Sequence, residues 1–131
     1  MTTTIVAGLA ALALLLLAVA NAFAPARLGY PQNLQRLDRF VAQVFVVHSF
    51  YIVAVVLAMA ALAVGAAAGT ISPTPLARAL HALCAVFWFS RVAAQLFYYD
   101  KSIRRGNPGW DALFTATFTY LTAAFTYLAV T

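Results

Sequence analysis

Residues 41–66, VAQVFVVHSFYIVAVVLAMAALAVGA, form an apolar stretch that contains no Asp, Glu, Lys or Arg. A helix needs ~20 such residues to cross the hydrocarbon core of a bilayer. A membrane-spanning β-strand is about half that length and alternates in polarity, which this stretch does not do. The stretch therefore predicts a transmembrane α-helix, in which every backbone polar group is satisfied internally.

Three further apolar stretches, at residues 4–24, 76–99 and 110–130, meet the same length requirement. The 131-residue chain is 65% hydrophobic and 8% charged, with a mean hydropathy of +0.91. A soluble domain carries ~25% charged residues because water must wet its surface. The sequence predicts an all-α integral membrane protein, an up-down four-helix bundle in one transmembrane domain. Its helices are expected at about 4–24, 34–67, 75–99 and 108–130.

Proline and polar residues predict where these helices begin and end. We expect helix 1 to end before Pro25, which lacks the N–H of a continuing helix. Asn33 is the expected N-cap of helix 2. Either Ser72-Pro73 or Thr74-Pro75 starts helix 3, and Asn107-Pro108 gives the same signal before helix 4. Since residues 1–4 carry none of the side-chain positive charge of a signal peptide, we expect the first helix to be retained.

Orientation follows from the basic residues near the membrane ends, because cytoplasmic loops are enriched in Lys and Arg. The second connection offers only Arg78. The first and third carry Arg27, Arg36, Arg39, Lys101, Arg104 and Arg105. We therefore expect loops one and three in the cytoplasm and both termini outside, in a bacterial inner membrane. The net charge of +5 then points to anionic lipid headgroups and not to nucleic acid.

This topology gathers the intramembrane polar residues in the cytoplasmic leaflet. Counting 1.5 Å per residue from the expected boundary puts His48 and Arg91 ~12 Å deep. Gln43 and Gln95 lie nearer the surface, at roughly 5–6 Å on the same rise. Helical spacing also predicts that Arg91, Gln95 and Tyr98 share one face. His48 lies ~140° around helix 2 from Gln43, so only one of them faces helix 3.

Structural roles compete with a functional site at several of these positions. Arg91 could reach the headgroups, or bridge to Asp100 or a backbone carbonyl. For His48, an interhelical hydrogen bond is favoured over a ligand role. His48 and His81 lie near opposite membrane faces, which disfavours a haem site, and no metal-ligand set is evident. Cys84 reads as an inert buried thiol.

Two stripes of small or hydroxyl residues predict helix packing. Ala54, Ala58, Ala61 and Gly65 repeat at the spacing that lets another helix approach closely. Thr115, Thr119, Thr122 and Thr126 repeat in the same way on helix 4. Threonine hydroxyls can bond the carbonyls of their own helix, so this stripe requires no substrate. The two stripes are expected to face either each other or a second subunit.

The end of helix 3 carries a further pattern: Arg91-Val92-Ala93, then Tyr98 and Lys101, then Arg104-Arg105. This pattern resembles the MAPEG family of membrane glutathione-dependent enzymes, which are four-helix proteins that assemble as trimers. The resemblance matches Arg36 and Arg39 to the family's basic segment, and Gln43 stands where the family has Asn. It implies that Arg36, Arg39, Arg91 and Tyr98 hold the carboxylates and peptide of glutathione at a subunit interface. Arg104 or Arg105 would correspond, in a shifted register, to the arginine that activates the thiol.

Two main functional hypotheses follow, and in neither are catalytic residues identified. The first is a MAPEG-like homo-oligomer that transfers glutathione to a lipophilic substrate, with glutathione the one cofactor implied. The second is a non-enzymatic subunit of a membrane complex, or a lipid-binding scaffold. A proton-coupled transporter is third, because four helices rarely form two alternating gates without dimerising. The candidate ligand-binding residues are Arg36, Arg39, Gln43, His48, Arg91, Gln95, Tyr98, Arg104 and Arg105.

Overall fold

A computed structural model describes the whole chain, Met1–Thr131. It contains six α-helices and one π-helical turn, Ala94–Tyr98, that continues the fourth helix. The α-helices are α1 (Thr2–Arg27), α2 (Tyr30–Leu34), α3 (Arg39–Ala67), α4 (Pro75–Ala93), α5 (Lys101–Gly106) and α6 (Pro108–Val130). Four of the helical segments are long and apolar enough to cross a membrane: α1, α3, α4 with its π-turn, and α6.

The four long helices alternate in direction, which confirms the predicted up-down bundle. At one end, Thr3 of α1 lies 3.4 Å from the hydroxyl of Tyr127 in α6. At the same end, the guanidinium of Arg78 in α4 donates to the backbone oxygen of Thr131. The connections 28–38 and 99–107 therefore both lie at the other end, which we call the basic end.

The helices pack as two pairs. Helix α1 packs along α3, α4 packs along α6, and the pairs meet where α1 contacts α6. Across that contact, the hydroxyl of Tyr120 donates to the carbonyl of Val6 at 3.0 Å. Helices α3 and α4 follow each other in sequence but make at most marginal contact. The side of the bundle between α3 and α4 is therefore open.

The seam between α1 and α3 is built from small side chains. Ala7 and Ala10 of α1 are fully buried, as is Ala63 of α3, and Ala60 is nearly so. Without a hydrophobic driving force between helices in lipid, small residues stabilise association by letting two backbones approach closely. We call this surface the alanine seam.

The seam between α4 and α6 is built from aromatic rings. Trp88 of α4 stacks on Phe118 of α6 with 5.5 Å between ring centroids. Phe125 is fully buried and lies against the ring of His81. Offset aromatic pairs at these distances attract each other beyond the area that they bury. We call this surface the aromatic seam.

Two predicted boundaries in the first hairpin are wrong. Helix α1 continues through Pro25 to Arg27, and its cost is confined to the preceding turn, where the proline removes one backbone hydrogen bond and crowds the carbonyl four residues earlier. The N-cap of α3 is Asp38, whose carboxylate accepts from the backbone N–H of Phe40 at 2.9 Å. Asn33 lies instead in the short helix α2 and donates to the carbonyl of Leu28.

The predicted N-cap positions of the two helices in the second hairpin are confirmed. Thr74 caps α4, since its hydroxyl accepts from the backbone N–H of Ala77. Asn107 occupies the N-cap position of α6, as predicted, but its side chain donates to the carbonyl of Ile103 in α5. Helix α5 itself lies in a connection where no helix was predicted.

Only Gly65 of the predicted small-residue stripe on α3 packs within the chain, where it lies against the side chain of Ile71. Ala54, Ala58 and Ala61 are exposed, and the buried face of α3 is Val56, Ala60 and Ala63. Three of the four threonines in the α6 stripe behave as expected, with Thr119, Thr122 and Thr126 each donating to the carbonyl four residues earlier. The two stripes lie on α3 and α6, which do not pack against each other.

Candidate anion-binding site

The nine candidate residues lie toward the basic end but fall into two groups. Arg36, Arg39, Gln43 and His48 belong to α3 and the residues before it. Arg91, Gln95, Tyr98, Arg104 and Arg105 belong to α4, its π-turn and α5. Because α3 and α4 barely touch, one chain does not bring the two groups together.

An acidic residue that the site prediction missed organises the second group. The guanidinium of Arg104 binds the carboxylate of Asp111 with both prongs, at 2.8 and 3.0 Å. The amide of Gln95 donates to the same carboxylate at 2.7 Å. A third arm of Arg104 reaches the carbonyl of Leu96 at 3.2 Å. This network ties the π-turn and α5 to the first turn of α6.

The ion pair with Asp111 neutralises the charge of Arg104. Its hydrogen bonds to Asp111 raise the pKa of Arg104, so the guanidinium stays charged and paired. The sequence did carry a signal for Asp111, which lies in the first turn after Asn107-Pro108. Acidic residues are favoured there by the helix dipole, and one just inside a membrane span requires a partner.

The π-turn explains why the predicted polar face divides. The backbone N–H of Tyr99 donates to the carbonyl of Ala94, five residues earlier, at 3.2 Å. This extra residue per turn rotates the side chains beyond it, so Gln95 is only 9% exposed while Tyr98 is 85% exposed. Tyr98 therefore does not line a face shared with Arg91 and Gln95.

Arg91 bridges neither to Asp100 nor to a backbone carbonyl, two of the structural roles considered for it. Asp100 is engaged as the N-cap of α5, accepting from the backbone N–H and the hydroxyl of Ser102. The guanidinium carbon of Arg91 lies 5.2 Å from the ring centroid of Phe118, a cation–π contact within the aromatic seam. No side chain or carbonyl of the protein accepts a hydrogen bond from Arg91.

Other unsatisfied polar groups surround the same ring. The indole N–H of Trp88, which stacks on Phe118, is buried without a partner. The hydroxyl of Thr115, one turn before Phe118, is also buried and unpaired. A buried donor without an acceptor costs about 1–3 kcal/mol, so these groups favour an added acceptor. We call Trp88, Arg91, Thr115 and Phe118 the Arg91 cluster.

The first group is more exposed and more self-contained. His48 directs Nδ1 to the carbonyl of Val44 in its own helix at 2.8 Å, so the expected interhelical hydrogen bond is wrong. Arg36, Arg39 and Gln43 are exposed and form no ion pair or hydrogen bond through their side chains. They remain available at the basic end.

The remaining titratable side chains of the seams do not form a reactive set. Cys84 is a buried free thiol on α4, as predicted. His81 is 4% exposed and neither ring nitrogen has a partner, but it lies in the half of the bundle away from the basic end. No three His, Cys, Asp or Glu side chains group as metal ligands would.

Comparison with protein-family profiles, curated proteins and solved structures finds no match to this chain. The chemistry of the Arg91 cluster is therefore inferred from its own side chains. These offer a fixed positive charge and further donors within an apolar wall. They are suited to an anion that also partitions into the membrane.

Proposed function

We propose that this small four-helix membrane protein binds a small anion at the Arg91 cluster, entering from the basic end. One observation carries the proposal: Arg91 remains without a hydrogen-bond acceptor, whereas Arg104, further along the chain, is fully paired with Asp111. An arginine in a membrane span costs about 2.5–3.5 kcal/mol on insertion scales. A bound carboxylate or phosphate would offset that cost with charge-assisted hydrogen bonds.

The finer form of the proposal takes glutathione as the anion, as the resemblance to MAPEG enzymes implies. Arg91 would bind one carboxylate, and Arg36 and Arg39 of a neighbouring copy would bind the remainder. A homotrimer would supply that neighbour, since α3 and α4 of one chain lie apart. Arg105, which is exposed and unpaired, is then the arginine closest to the role of thiol activation.

The reaction in this form is thioether formation. The thiol gives its proton to water, and a nearby guanidinium stabilises the resulting thiolate. The sulfur bonds to an electrophilic carbon of a lipophilic substrate, and the leaving group departs with the electron pair of the broken bond. Both products then leave by different routes, the conjugate through the membrane interface and the leaving group through water.

Isothermal titration calorimetry of the purified protein with glutathione tests the proposal. Arg91→Leu should weaken binding about tenfold or more, because it removes a charge-assisted hydrogen bond. Arg78→Leu is the matched control, since it removes an arginine at the opposite end of the bundle. Absence of heat with glutathione removes the finer proposal. If wild type and Arg91→Leu bind citrate with the same affinity, and likewise phosphate, anion binding at the Arg91 cluster is ruled out.

The second candidate function is that of an accessory subunit or lipid-binding scaffold. The exposed stripe of Ala54, Ala58 and Ala61 favours it, because such a stripe fits the close approach of another helix. Native mass spectrometry from membranes separates the cases. A stable homotrimer supports the MAPEG-like proposal, and a fixed complex with a different chain supports the accessory role.

A further inference from the structure

A groove runs along α3 on the side of the bundle away from the aromatic seam. Its first part is a cavity of ≈ 840 Å³, formed where α2 and the segment after it lean over the first turns of α3. A second cavity of ≈ 510 Å³ shares Pro31, Leu34 and Val46 with the first and continues to Val53. From Arg39 to Val53 the groove is ~21 Å long at 1.5 Å per residue. One leaflet with its headgroup region is ~20–22 Å thick, so the groove has the length of a lipid leaflet.

The groove is polar at one end only. Gln35, Arg39 and Gln43 line its mouth at the basic end, and none of these side chains has a partner in the protein. Deeper in, Asn21 donates to the carbonyl of Leu17 and Ser49 donates to that of Phe45. The mouth thus offers unused donors, whereas the polar groups of the deep part are already satisfied within their own helices.

The charge around the mouth is positive. Arg27, Arg36 and Arg39 lie in or beside the first connection, and the one salt bridge of the protein is elsewhere, between Arg104 and Asp111. The nearby acidic residue, Asp38, is occupied as the cap of α3. A ligand with an anionic head and an apolar tail complements this distribution, because its head meets the arginines while its tail meets Leu34 and Val46.

We propose that this groove binds an anionic phospholipid of the adjacent leaflet, with its phosphate at Arg39 and one acyl chain along α3. The proposal goes beyond the Arg91 cluster, since it concerns the other helix pair and requires no glutathione. It shares Arg39 with the glutathione form of the proposed function, so a lipid phosphate and glutathione would compete there. Shape and dispersion would hold the chain, because lipid tails are as apolar as the groove itself. The headgroup provides the selectivity, because an anionic headgroup is attracted to the guanidinium of Arg39 and a zwitterionic one is attracted less.

Native mass spectrometry of delipidated protein tests the head. Phosphatidylglycerol and phosphatidylcholine with identical chains are added in equal amounts, and the retained lipid is counted. Phosphatidylglycerol should be retained about fivefold better, the equivalent of one basic residue near the headgroup. Arg39→Gln should abolish that preference. Arg105→Gln, which removes the same charge from the same end but away from the groove, should leave it intact.

Filling the groove tests the chain. Val46 lines both cavities, and Val46→Trp should lower retention of both lipids about tenfold, because an indole overfills the space. Val86→Trp on the exposed face of α4 is the matched control and should retain both lipids. Should Val46→Trp misfold by circular dichroism, Val47→Trp fills the first cavity instead.

Three outcomes would overturn the proposal. If the wild-type protein retains both lipids equally, the groove does not select the anionic headgroup. Groove variants that retain lipid as well as Val86→Trp would remove the role of the chain. Dissociation of an oligomer by Val46→Trp, with lipid retention unchanged, would show that a second copy occupies the groove.

Discussion

The two helix pairs solve the same packing problem with opposite side chains. The alanine seam joins α1 and α3, where Ala7, Ala10, Ala60 and Ala63 are buried and no buried side chain is polar. The aromatic seam joins α4 and α6 through stacked rings and also holds Arg91, Trp88 and Thr115 with unmet donors. The face of an aromatic ring attracts a cation, whereas the methyl group of alanine does not.

The comparison teaches where this bundle can place a charge. The alanine seam offers a guanidinium no ring face, and the arginines of the first pair lie outside the seam, at the basic end. The second pair accommodates an arginine inside its span because Phe118 receives it. We therefore expect the alanine seam to stabilise the protein through close packing alone. In the aromatic seam, the unpaired Arg91 should lower the stability of the protein while making anion binding possible.

Removing a ring from the aromatic seam should have the largest effect. Phe125 is fully buried, and Phe125→Ala should lower the free energy of unfolding by about 3 kcal/mol through the cavity that it leaves. Titration of dodecyl sulfate into mixed micelles measures this change. Phe89→Ala, at a position of α4 that is 64% exposed, should change little. Similar losses for both variants would mean that the aromatic seam has no special role.

Enlarging a residue in the alanine seam is the converse test. Ala63 is fully buried, and Ala63→Phe should lower the free energy of unfolding by about 2 kcal/mol, because the two backbones must separate. Ala61→Phe places the same ring on the exposed face of α3 and is the control. An Ala63→Phe protein as stable as its control would show that α1 and α3 do not depend on close approach.

Arg91→Leu in the aromatic seam should raise the stability of the protein, whereas the two substitutions above lower it. Replacing an unpaired guanidinium with an apolar side chain should raise the free energy of unfolding by up to about 1 kcal/mol, after loss of the cation–π contact. The same mixed-micelle titration applies, with Arg105→Leu as a control that stays near wild type. A loss of stability would instead assign Arg91 a structural role.

The smallest effect concerns the acid response of α5, which lies outside both seams. Hydrogen bonds from the side chain and backbone of Ser102 lower the pKa of Asp100 below its ordinary value of 3.8. Since the folded pKa is the lower one, the cap stabilises α5 fully above pH 3.8 and is lost as pH falls through the folded pKa. Carbon-13 NMR titration of the Asp100 carboxyl measures this. Ser102→Ala should move the pKa back toward 3.8, and an unchanged value would contradict the assignment.

The sequence predicted the spans better than their faces. Length and hydropathy were sufficient for four helices, and Thr74 marked a start correctly. The buried face of α3 was not predictable, because in a membrane the lipid-facing Ala58 and the core-facing Ala60 are equally apolar. The pairing of helices follows from those faces, so the separation of the two arginine groups was hidden as well.

Local exceptions account for the other differences. Pro25 and Asn33 carry strong boundary signals that the surrounding chain overrode, one in a last turn and one in favour of Asp38. The π-turn at Ala94–Tyr98 has no sequence signature, yet it decides which side chains of the candidate site face inward. The ion pair between Arg104 and Asp111 could not be predicted, because it depends on how α5 and α6 are oriented relative to each other.

The π-turn also separates two demands on one helix. Upstream of it, the rotational phase of α4 is set by the partner α6, which needs Trp88 and Arg91 turned toward Phe118. Downstream, the extra residue resets that phase, so that Phe97 and Tyr98 project outward, each 85% exposed, at the depth where aromatic rings anchor a protein to the headgroups. Deleting a single residue from this turn would fix the rotation of the segment after it relative to α4. Either Trp88 and Arg91 would then face Phe118, or Phe97 and Tyr98 would face outward, but not both.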